Sequence, residues 1–258
     1  MMLTDKVAVI HGAGGAIGGT VARAFAREGA RLFLAGRTRA AVAAVADELG
    51  AEAAEVDVLD EGAVSAYLAS VVERAGRLDI SFDAVGFPNS AILGVPLTDL
   101  DAARFAEPIA AYTTAYFHTA RLAARHMVPR GTGVLMTVTA LHSRTGLPLV
   151  GGYGPAMAAK EALTRDLSAE LAPHGIRVVG LRPQGMPETR TIRDAYEPRA
   201  AASGLTWEQW QAHLASRTHP RRLLRLDELG GAAAFLASDR ASGLTGTTVN
   251  LTMGSLDD

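Results

Sequence analysis

The chain has 258 residues, is 48% hydrophobic and carries a formal net charge of −2 without any cysteine. The missing cysteines exclude disulfides, thiolate metal sites and cysteine nucleophiles, and they suit a reducing, cytoplasmic location. The basic residues are scattered, which argues against nucleic acid as a partner, and since no run of about 18 apolar residues occurs, no membrane span is expected.

Short apolar runs alternate with longer amphipathic segments along the chain. The runs predict strands at residues 6–10, 31–35, 52–56, 78–85, 133–139, 175–181 and 247–251. The segments between them predict helices at residues 17–28, 39–49, 61–75, 101–127, 153–172, 207–216 and 227–237. This alternation predicts an α/β fold of the Rossmann type, a doubly wound parallel sheet of about seven strands with helices on both faces.

The pattern predicts one domain over residues 1–258, because no linker, repeat or low-complexity segment interrupts it. An irregular stretch rich in Pro, Gly, Glu and Arg follows the sixth predicted strand. We expect residues 183–217 to form a loop and lid insertion that decides which substrate is accepted.

A glycine-rich turn joins the first predicted strand to the first helix. It contains Gly12, Gly14, Gly15, Ile17 and Gly18. Glycines let the backbone approach a diphosphate, and the helix start supplies N–H donors and a favourable dipole. The turn therefore predicts a dinucleotide site.

This turn resembles the Thr-Gly-x-x-x-Gly-x-Gly turn of the short-chain dehydrogenase/reductase family, although His11 replaces its threonine and Ala16 its middle glycine. The resemblance covers essentially the whole chain. It includes the C-terminal signature at Phe235-Leu236-Ala237-Ser238, Thr245-Gly246 and Gly254.

The resemblance implies further cofactor contacts. Asp57 and Val58 follow the third strand at the family's adenine contact, and Gly86 ends the counterpart of its Asn-Asn-Ala-Gly segment. Pro183 and Thr189 resemble the loop that holds the nicotinamide carboxamide. The family also implies a small-molecule substrate, no metal, and a homo-dimer or homo-tetramer.

Arg37 follows the second predicted strand, where NAD enzymes usually carry an acidic residue for the ribose 2′-hydroxyl. An arginine there pairs with a 2′-phosphate instead. Arg39 is near enough in sequence to share that role. NADP(H) is therefore expected in preference to NAD(H).

The family's usual catalytic set is an Asn, a Ser, a Tyr and a Lys four residues after the Tyr. Tyr153 occupies the tyrosine position, where it would act as general acid or base. The same register puts Met157 at the lysine position, Ala140 at the serine position and Tyr112 at or near the asparagine position. Ordinary alcohol dehydrogenase or ketoreductase catalysis is therefore not expected.

Lys160 offers a replacement cation. It lies seven residues after Tyr153, two helical turns along nearly the same face. This Tyr-x6-Lys spacing resembles the pair in enoyl-thioester reductases, whose conjugate hydride addition needs less acid assistance. The alternative is that Lys160 is an ordinary residue on the helix surface.

Other polar residues are expected around the same pocket. His142 lies after the fifth strand, either as a proton donor or acceptor or as a solvated loop residue. Gln184 is expected beside Tyr112, Ala140 and Met157 in the substrate pocket. Two tryptophans, Trp207 and Trp210, either cover the pocket or anchor their helix, and Asp83 is expected to make a structural hydrogen bond between strands.

Three functions remain open at this point. The first is an unusual NADP(H)-dependent reductase acting on an activated carbonyl, enone or imine. The second is a non-redox cyclase, isomerase or dehydratase that uses Tyr153 for proton transfer. The third is a nucleotide-binding homologue without catalytic activity.

Overall fold

The computed structural model describes residues 1–189, 192–193, 196–197, 200 and 204–256. Its strands are β1 Val7–His11, β2 Arg31–Gly36, β3 Glu52–Glu55, β4 Ile80–Asp83, β5 Gly133–Val138, β6 Ile176–Pro183 and β7 Thr247–Leu251. Its α-helices include α1 Ala16–Arg27, α2 Arg39–Leu49, α3 Glu61–Ala75, α4 Ala102–Met127, α5 Tyr153–Leu171, α6 Trp207–Ser216 and α7 Leu226–Ala237.

The strands form one parallel sheet in the order β3-β2-β1-β4-β5-β6-β7. The strand order changes direction between β1 and β4, so the segments that follow these two strands lead away from each other. They leave a crevice at the carboxyl ends of the strands, where doubly wound sheets bind ligands. The predicted Rossmann-type fold is confirmed. Gly12 follows β1 and Ala84 follows β4, so both lie at this crevice.

Two apolar layers cover the sheet. Side chains of α1, α2 and α7 pack on one face, and those of α3, α4 and α5 pack on the other. All five residues of β1 and all four of β4 are buried, as expected for central strands covered on both faces. The catalytic candidates therefore reach solvent only at the carboxyl edge of the sheet.

Two of the differences between the predicted and the observed strands alter the edge of the crevice. The fourth ends at Asp83 rather than residue 85, because the Asp83 carboxylate accepts a hydrogen bond from the Val85 amide and turns the chain. The sixth continues to Pro183, because its pairing with β7 extends to Leu251. Both changes place residues at the crevice edge.

Helix α6 agrees with the predicted helix at residues 207–216. It begins with a capping box in which the Thr206 hydroxyl accepts from the Gln209 amide and the Gln209 side chain accepts from the Thr206 amide. Elsewhere in the interval 183–217, residues 190–191, 194–195, 198–199 and 201–203 lie outside the described residues.

Candidate active site

The glycine turn brings bare backbone to the start of α1. Gly15 precedes the helix without a side-chain cap, and within the described ranges the amides of Ala16, Ile17 and Gly18 donate no hydrogen bond. A Cβ on Gly12 would lie 2.7 Å from the Ala84 carbonyl oxygen. The turn is thus pressed against the chain after β4 and presents free N–H donors, which is the arrangement an anionic diphosphate requires.

The same turn needs glycine at its other two positions. A Cβ on Gly18 would overlap the Gly12 carbonyl oxygen, and one on Gly14 would lie 2.9 Å from the Ala41 Cβ. Gly12 itself has φ +79, in the left-handed region that favours glycine. These close contacts keep the entry to the crevice free of side chains.

The other implied cofactor residues line the same edge. Asp57 accepts a hydrogen bond from the Leu59 amide at 3.0 Å, so its carboxylate shapes the turn after β3. Val58 is buried, and its carbonyl oxygen contacts the His118 imidazole at 2.9 Å. Gly86 has open space where a Cβ would lie. The wall beside β4 therefore has room for a ribose.

Arg37 extends from the end of β2 toward the opposite wall. Its guanidinium lies 5.5 Å from the centroid of the Phe87 ring, within cation–π range. Arg37 is exposed, and it makes no ion pair with any residue that the structure describes. Arg37 at the end of β2 and Phe87 after β4 therefore contact each other.

The segment after β6 carries the residues implied for the nicotinamide. Pro183 ends β6 and is buried. The Thr189 hydroxyl donates to the Met186 carbonyl at 2.8 Å and accepts from the Ile192 amide at 3.3 Å, so local bonds occupy it. The Gln184 side-chain oxygen is buried and accepts nothing from the described residues. Gln184 is the residue with capacity to bind an amide group.

Tyr153 is the first residue of α5. Gly152 before it packs so closely on α4 that a Cβ there would overlap the Phe105 carbonyl oxygen. The Tyr153 ring contacts Tyr112 edge-on at 5.8 Å between centroids, and His142 at 5.2 Å. In the described part of the chain nothing is hydrogen-bonded to the Tyr153 hydroxyl. Packing between α4 and α5 thus fixes the ring and leaves the hydroxyl available.

The surroundings of Tyr153 favour its neutral form. Burial raises the pKa of Tyr153 above its ordinary value, and the neighbouring hydroxyls of Tyr112 and Tyr196 raise it further. A phenol in this environment stays protonated and can donate a hydrogen bond, but releasing its proton is costly. The site therefore holds Tyr153 as a neutral hydrogen-bond donor.

The three positions predicted to depart from the family pattern lie together around this ring. Tyr112 and Met157 are buried in one apolar cluster, against which Ala140 and Tyr153 also pack. The Tyr112 hydroxyl accepts from the Phe87 amide at 3.1 Å. The side chains packed around Tyr153 are therefore a thioether, a methyl group and aromatic rings.

Lys160 does not lie on the helix surface. It is 1% exposed, and its ammonium donates to Asp83 Oδ2 at 2.9 Å and to the Val138 carbonyl at 3.1 Å. The surface interpretation is therefore wrong, since Lys160 points through the α5 interface into the sheet. No contact with Tyr153 is found among its described interactions, so the geometry does not support a direct catalytic role.

The predicted structural role of Asp83 agrees with this arrangement. Asp83 Oδ2 accepts from the Thr137 hydroxyl of the neighbouring strand at 3.3 Å, in addition to Lys160. Its other carboxylate oxygen accepts from the Val85 amide at 3.2 Å. One buried ion pair thus supports the turn that forms the crevice wall.

A second buried ion pair was not predicted from the sequence. Glu161 accepts two hydrogen bonds from Arg182, at 2.8 Å each, and one from the Ser143 hydroxyl at 2.5 Å. Burial alone would raise the pKa of Glu161, but these bonds hold it below its ordinary value. Ser143 ends the short 3₁₀ helix that carries His142, so this pair orients His142 toward Tyr153. Two adjacent charged residues, 160 and 161, in a helix that has to pack on the sheet were the sequence signal that could have revealed this ion pair.

Residues 12–255 match the family model described as enoyl-(acyl carrier protein) reductase. The chain belongs to the short-chain dehydrogenase/reductase family. Its relatives include the momilactone A synthase of Oryza sativa subsp. japonica, 30% identical over 260 residues, covering 98% of this chain and 90% of the relative.

Solved structures agree over nearly the whole chain. An NAD⁺-bound xylitol dehydrogenase matches with a TM-score of 0.89 and 28% identity, over 98% of this chain and all of that one. A gluconate 5-dehydrogenase from Burkholderia cenocepacia J2315, in complex with NADP and tartrate, has a TM-score of 0.85 and 28% identity, over 98% and 96% of the two chains. The chain is therefore assigned as an NAD(P)-dependent oxidoreductase of this family.

The described helices are too short or too polar to span a membrane. Among the residues that the structure describes, no three His, Asp or Glu side chains come together as metal ligands would.

His11, which replaces the family's threonine at the glycine turn, is fully buried. Neither ring nitrogen has a hydrogen-bond partner among the described residues, and the ring meets Tyr67 at 6.3 Å between centroids. Burial lowers the pKa of His11 from 6.5 to about 4, against an opposing effect of the Asp83 charge. The folded state therefore holds this imidazole neutral.

We expect this imidazole to make stability depend on pH. Below pH 6.5 the unfolded chain binds a proton that the folded chain excludes until about pH 4. As far as His11 is concerned, the free energy of unfolding therefore has its full value above pH 6.5. It decreases by roughly 3 kcal/mol as the pH falls from 6.5 to about 4. Urea unfolding of wild type and His11→Phe at pH 7.5 and 5 measures it, and the variant should lose less stability on acidification. The exposed His174→Gln serves as control and should behave as wild type; equal losses in all three proteins would contradict the assignment.

Proposed function

We propose that the chain is an NADP(H)-dependent reductase of activated carbonyl, enone or imine compounds, with neutral Tyr153 as the proton donor. The observation that carries the proposal is the position of Tyr153 between Tyr112 and His142, with its hydroxyl uncommitted among the described residues. This active site is atypical for the family, because Ala140 and Met157 replace the usual serine and lysine.

The residues present fit a nicotinamide dinucleotide. The amides at the start of α1 would bind its diphosphate, and Asp57 and Val58 would contact the adenine. The Gln184 amide would hold the carboxamide. When bound, the nicotinamide supplies or accepts the hydride.

The chain's own groups handle the proton. The Tyr153 hydroxyl donates a proton to the substrate atom that gains negative charge, while hydride is added to the neighbouring carbon. The resulting phenolate is costly in this buried setting, so Tyr153 must be reprotonated at once. His142, in edge contact with the ring, would return that proton.

This chemistry favours activated acceptors. Burial keeps Tyr153 protonated, so a proton is in place for reduction, but the phenolate left by its transfer is costly. In the pocket beside Tyr153, Ala140 and Met157 offer no hydrogen bond to an unactivated ketone. An enone spreads the developing negative charge over several atoms, and an imine, once protonated, already carries a compensating positive charge. Either substrate therefore needs fewer hydrogen bonds from the protein.

The preference for NADP(H) rests on Arg37. Its guanidinium at the end of β2 is exposed, has no ion-pair partner among the described residues, and is suited to pair with a ribose 2′-phosphate. We expect Arg37→Ala to weaken NADPH binding about tenfold or more, as the loss of a charge-assisted hydrogen bond implies, and to leave NADH binding unchanged. Titration of each nucleotide, followed by its fluorescence, measures this.

Arg27→Ala, at the far end of α1, is the control and should not alter either affinity. Equal binding of NADPH and NADH by wild type would reject the phosphate preference. Failure of both nucleotides to bind would reject the reductase.

One further experiment tests the two alternative functions. Single-turnover mixing of the NADPH complex with an enone, an imine and a ketone follows the loss of nicotinamide absorbance. Binding without oxidation of any of them would favour a catalytically inactive nucleotide-binding homologue. Substrate conversion without net oxidation would favour an isomerase, dehydratase or cyclase.

A further inference from the structure

Six side chains form a continuous series of contacts across the site, which we call the aromatic array. Its members are Phe87, Tyr112, Tyr153, His142, Tyr196 and Trp210. Centroid distances are 5.0 Å from Phe87 to Tyr112, 5.8 Å to Tyr153, 5.2 Å on to His142, and 6.1 Å between Tyr196 and Trp210. The Tyr196 hydroxyl joins the two halves, 3.4 Å from His142 Nε2.

The array links the catalytic tyrosine to α6. Trp210 is half-buried, and its indole N–H is buried without an acceptor among the described residues. A buried donor normally has a partner, so this one points to a ligand atom. Trp207, on the same helix, makes no ring contact in the described part of the chain. The two tryptophans are therefore not equivalent, although they lie three residues apart.

Four charged side chains near the array form two buried ion pairs, while Arg37, 5.5 Å from the centroid of the Phe87 ring, is assigned in the proposed function to the nucleotide 2′-phosphate. The Lys160 ammonium lies behind the Tyr112 ring, 5.8 Å from its centroid, and is paired with Asp83. Glu161 and Arg182 form the other buried pair. Neither pair is available to hold a carboxylate or phosphate of a substrate.

From this we propose that the substrate is an uncharged, ring-bearing apolar enone or activated ketone, bound beside Tyr153 with the aromatic array around it. The inference rests on the proposed function and names its substrate class. Aromatic rings attract apolar ring ligands through dispersion and edge contacts. A sugar or polyol placed here would bury hydroxyls beside Ala140 and Met157 without partners, which costs affinity.

The two tryptophans allow a direct binding test, because the sequence contains only two. Trp207→Phe leaves Trp210 as the sole indole, and Trp210→Phe leaves Trp207. Each variant is titrated with 2-decalone, an apolar bicyclic ketone, and separately with xylulose and with 5-ketogluconate. Indole emission is recorded with and without NADPH, so the readout does not depend on turnover.

We expect 2-decalone to change Trp210 emission saturably and Trp207 emission much less. In the otherwise wild-type protein, Trp210→Leu should weaken 2-decalone binding about tenfold, whereas Trp207→Leu should change it less than about twofold. Tighter binding of xylulose or 5-ketogluconate would overturn the proposal. So would the absence of any response to 2-decalone, in which case the array only anchors α6.

The result also separates this inference from the proposed function. NADPH binding without any response to 2-decalone rejects the substrate class alone. A saturable response to 2-decalone in a protein that binds no nucleotide rejects the reductase and leaves the apolar ring site in place.

Discussion

Lys160→Met is expected to lower the free energy of unfolding by about 3–5 kcal/mol at neutral pH, measured by urea denaturation. The substitution leaves the buried Asp83 carboxylate with only the Thr137 hydroxyl and the Val85 amide as donors among the described residues. Removing one partner of a buried ion pair costs more than the pair contributes, since the remaining charge stays out of water.

The chain provides a matched control, because Lys6 is its only other lysine. Lys6 pairs with Asp239 at the surface, where their side chains are 21% and 83% exposed, so Lys6→Met should cost less than about 1 kcal/mol. Adding Asp83→Asn to Lys160→Met should restore most of the lost stability, since asparagine still accepts from the Val85 amide. A Lys160→Met cost as small as that of Lys6→Met, or a double variant no better than the single, would contradict the buried pair.

Tyr153→Phe is expected to slow the single-turnover oxidation of NADPH by an enone about 10²–10⁴-fold, the usual contribution of a positioned general acid. The ring stays packed between Tyr112 and His142, so nucleotide affinity and thermal stability should remain near wild type. Stopped-flow absorbance, nucleotide titration and thermal unfolding measure these three quantities.

Tyr116→Phe is the appropriate control for this substitution. Tyr116 is buried in α4, and its hydroxyl lies 3.2 Å from that of Thr164, away from the crevice. It should change stability but not the rate of turnover. If Tyr153→Phe retains a rate within about threefold of wild type, the proton comes from another group.

The fold was predictable because its signals are local. Strand β1 is apolar from Val7 to Ile10, and α2 is followed by Gly50 in the left-handed conformation that glycine favours. The glycine turn at residues 12–18 was equally clear, since backbone geometry alone restricts those positions. Small errors occurred where a tertiary contact changed the end of a strand, as at Asp83.

Lys160 shows the limit of the same reasoning. Its distance from Tyr153 along the helix was correct, but helical spacing does not reveal whether an ammonium finds a carboxylate in the sheet beneath it. Asp83 lies 77 residues away in sequence, and only the packing of α5 against β4 brings the two together. The same holds for Glu161 and Arg182, which are paired across two different elements.

The sequence by itself determined the sheet, the nucleotide crevice and the position of Tyr153, because periodicity, glycine conformation and local register encode each of them. The tertiary structure alone decided that Lys160 is structural, that Ser143 and Glu161 orient His142, and that six rings line the site. Those features depend on contacts between residues far apart in the chain, and such contacts form only when helices pack on the sheet.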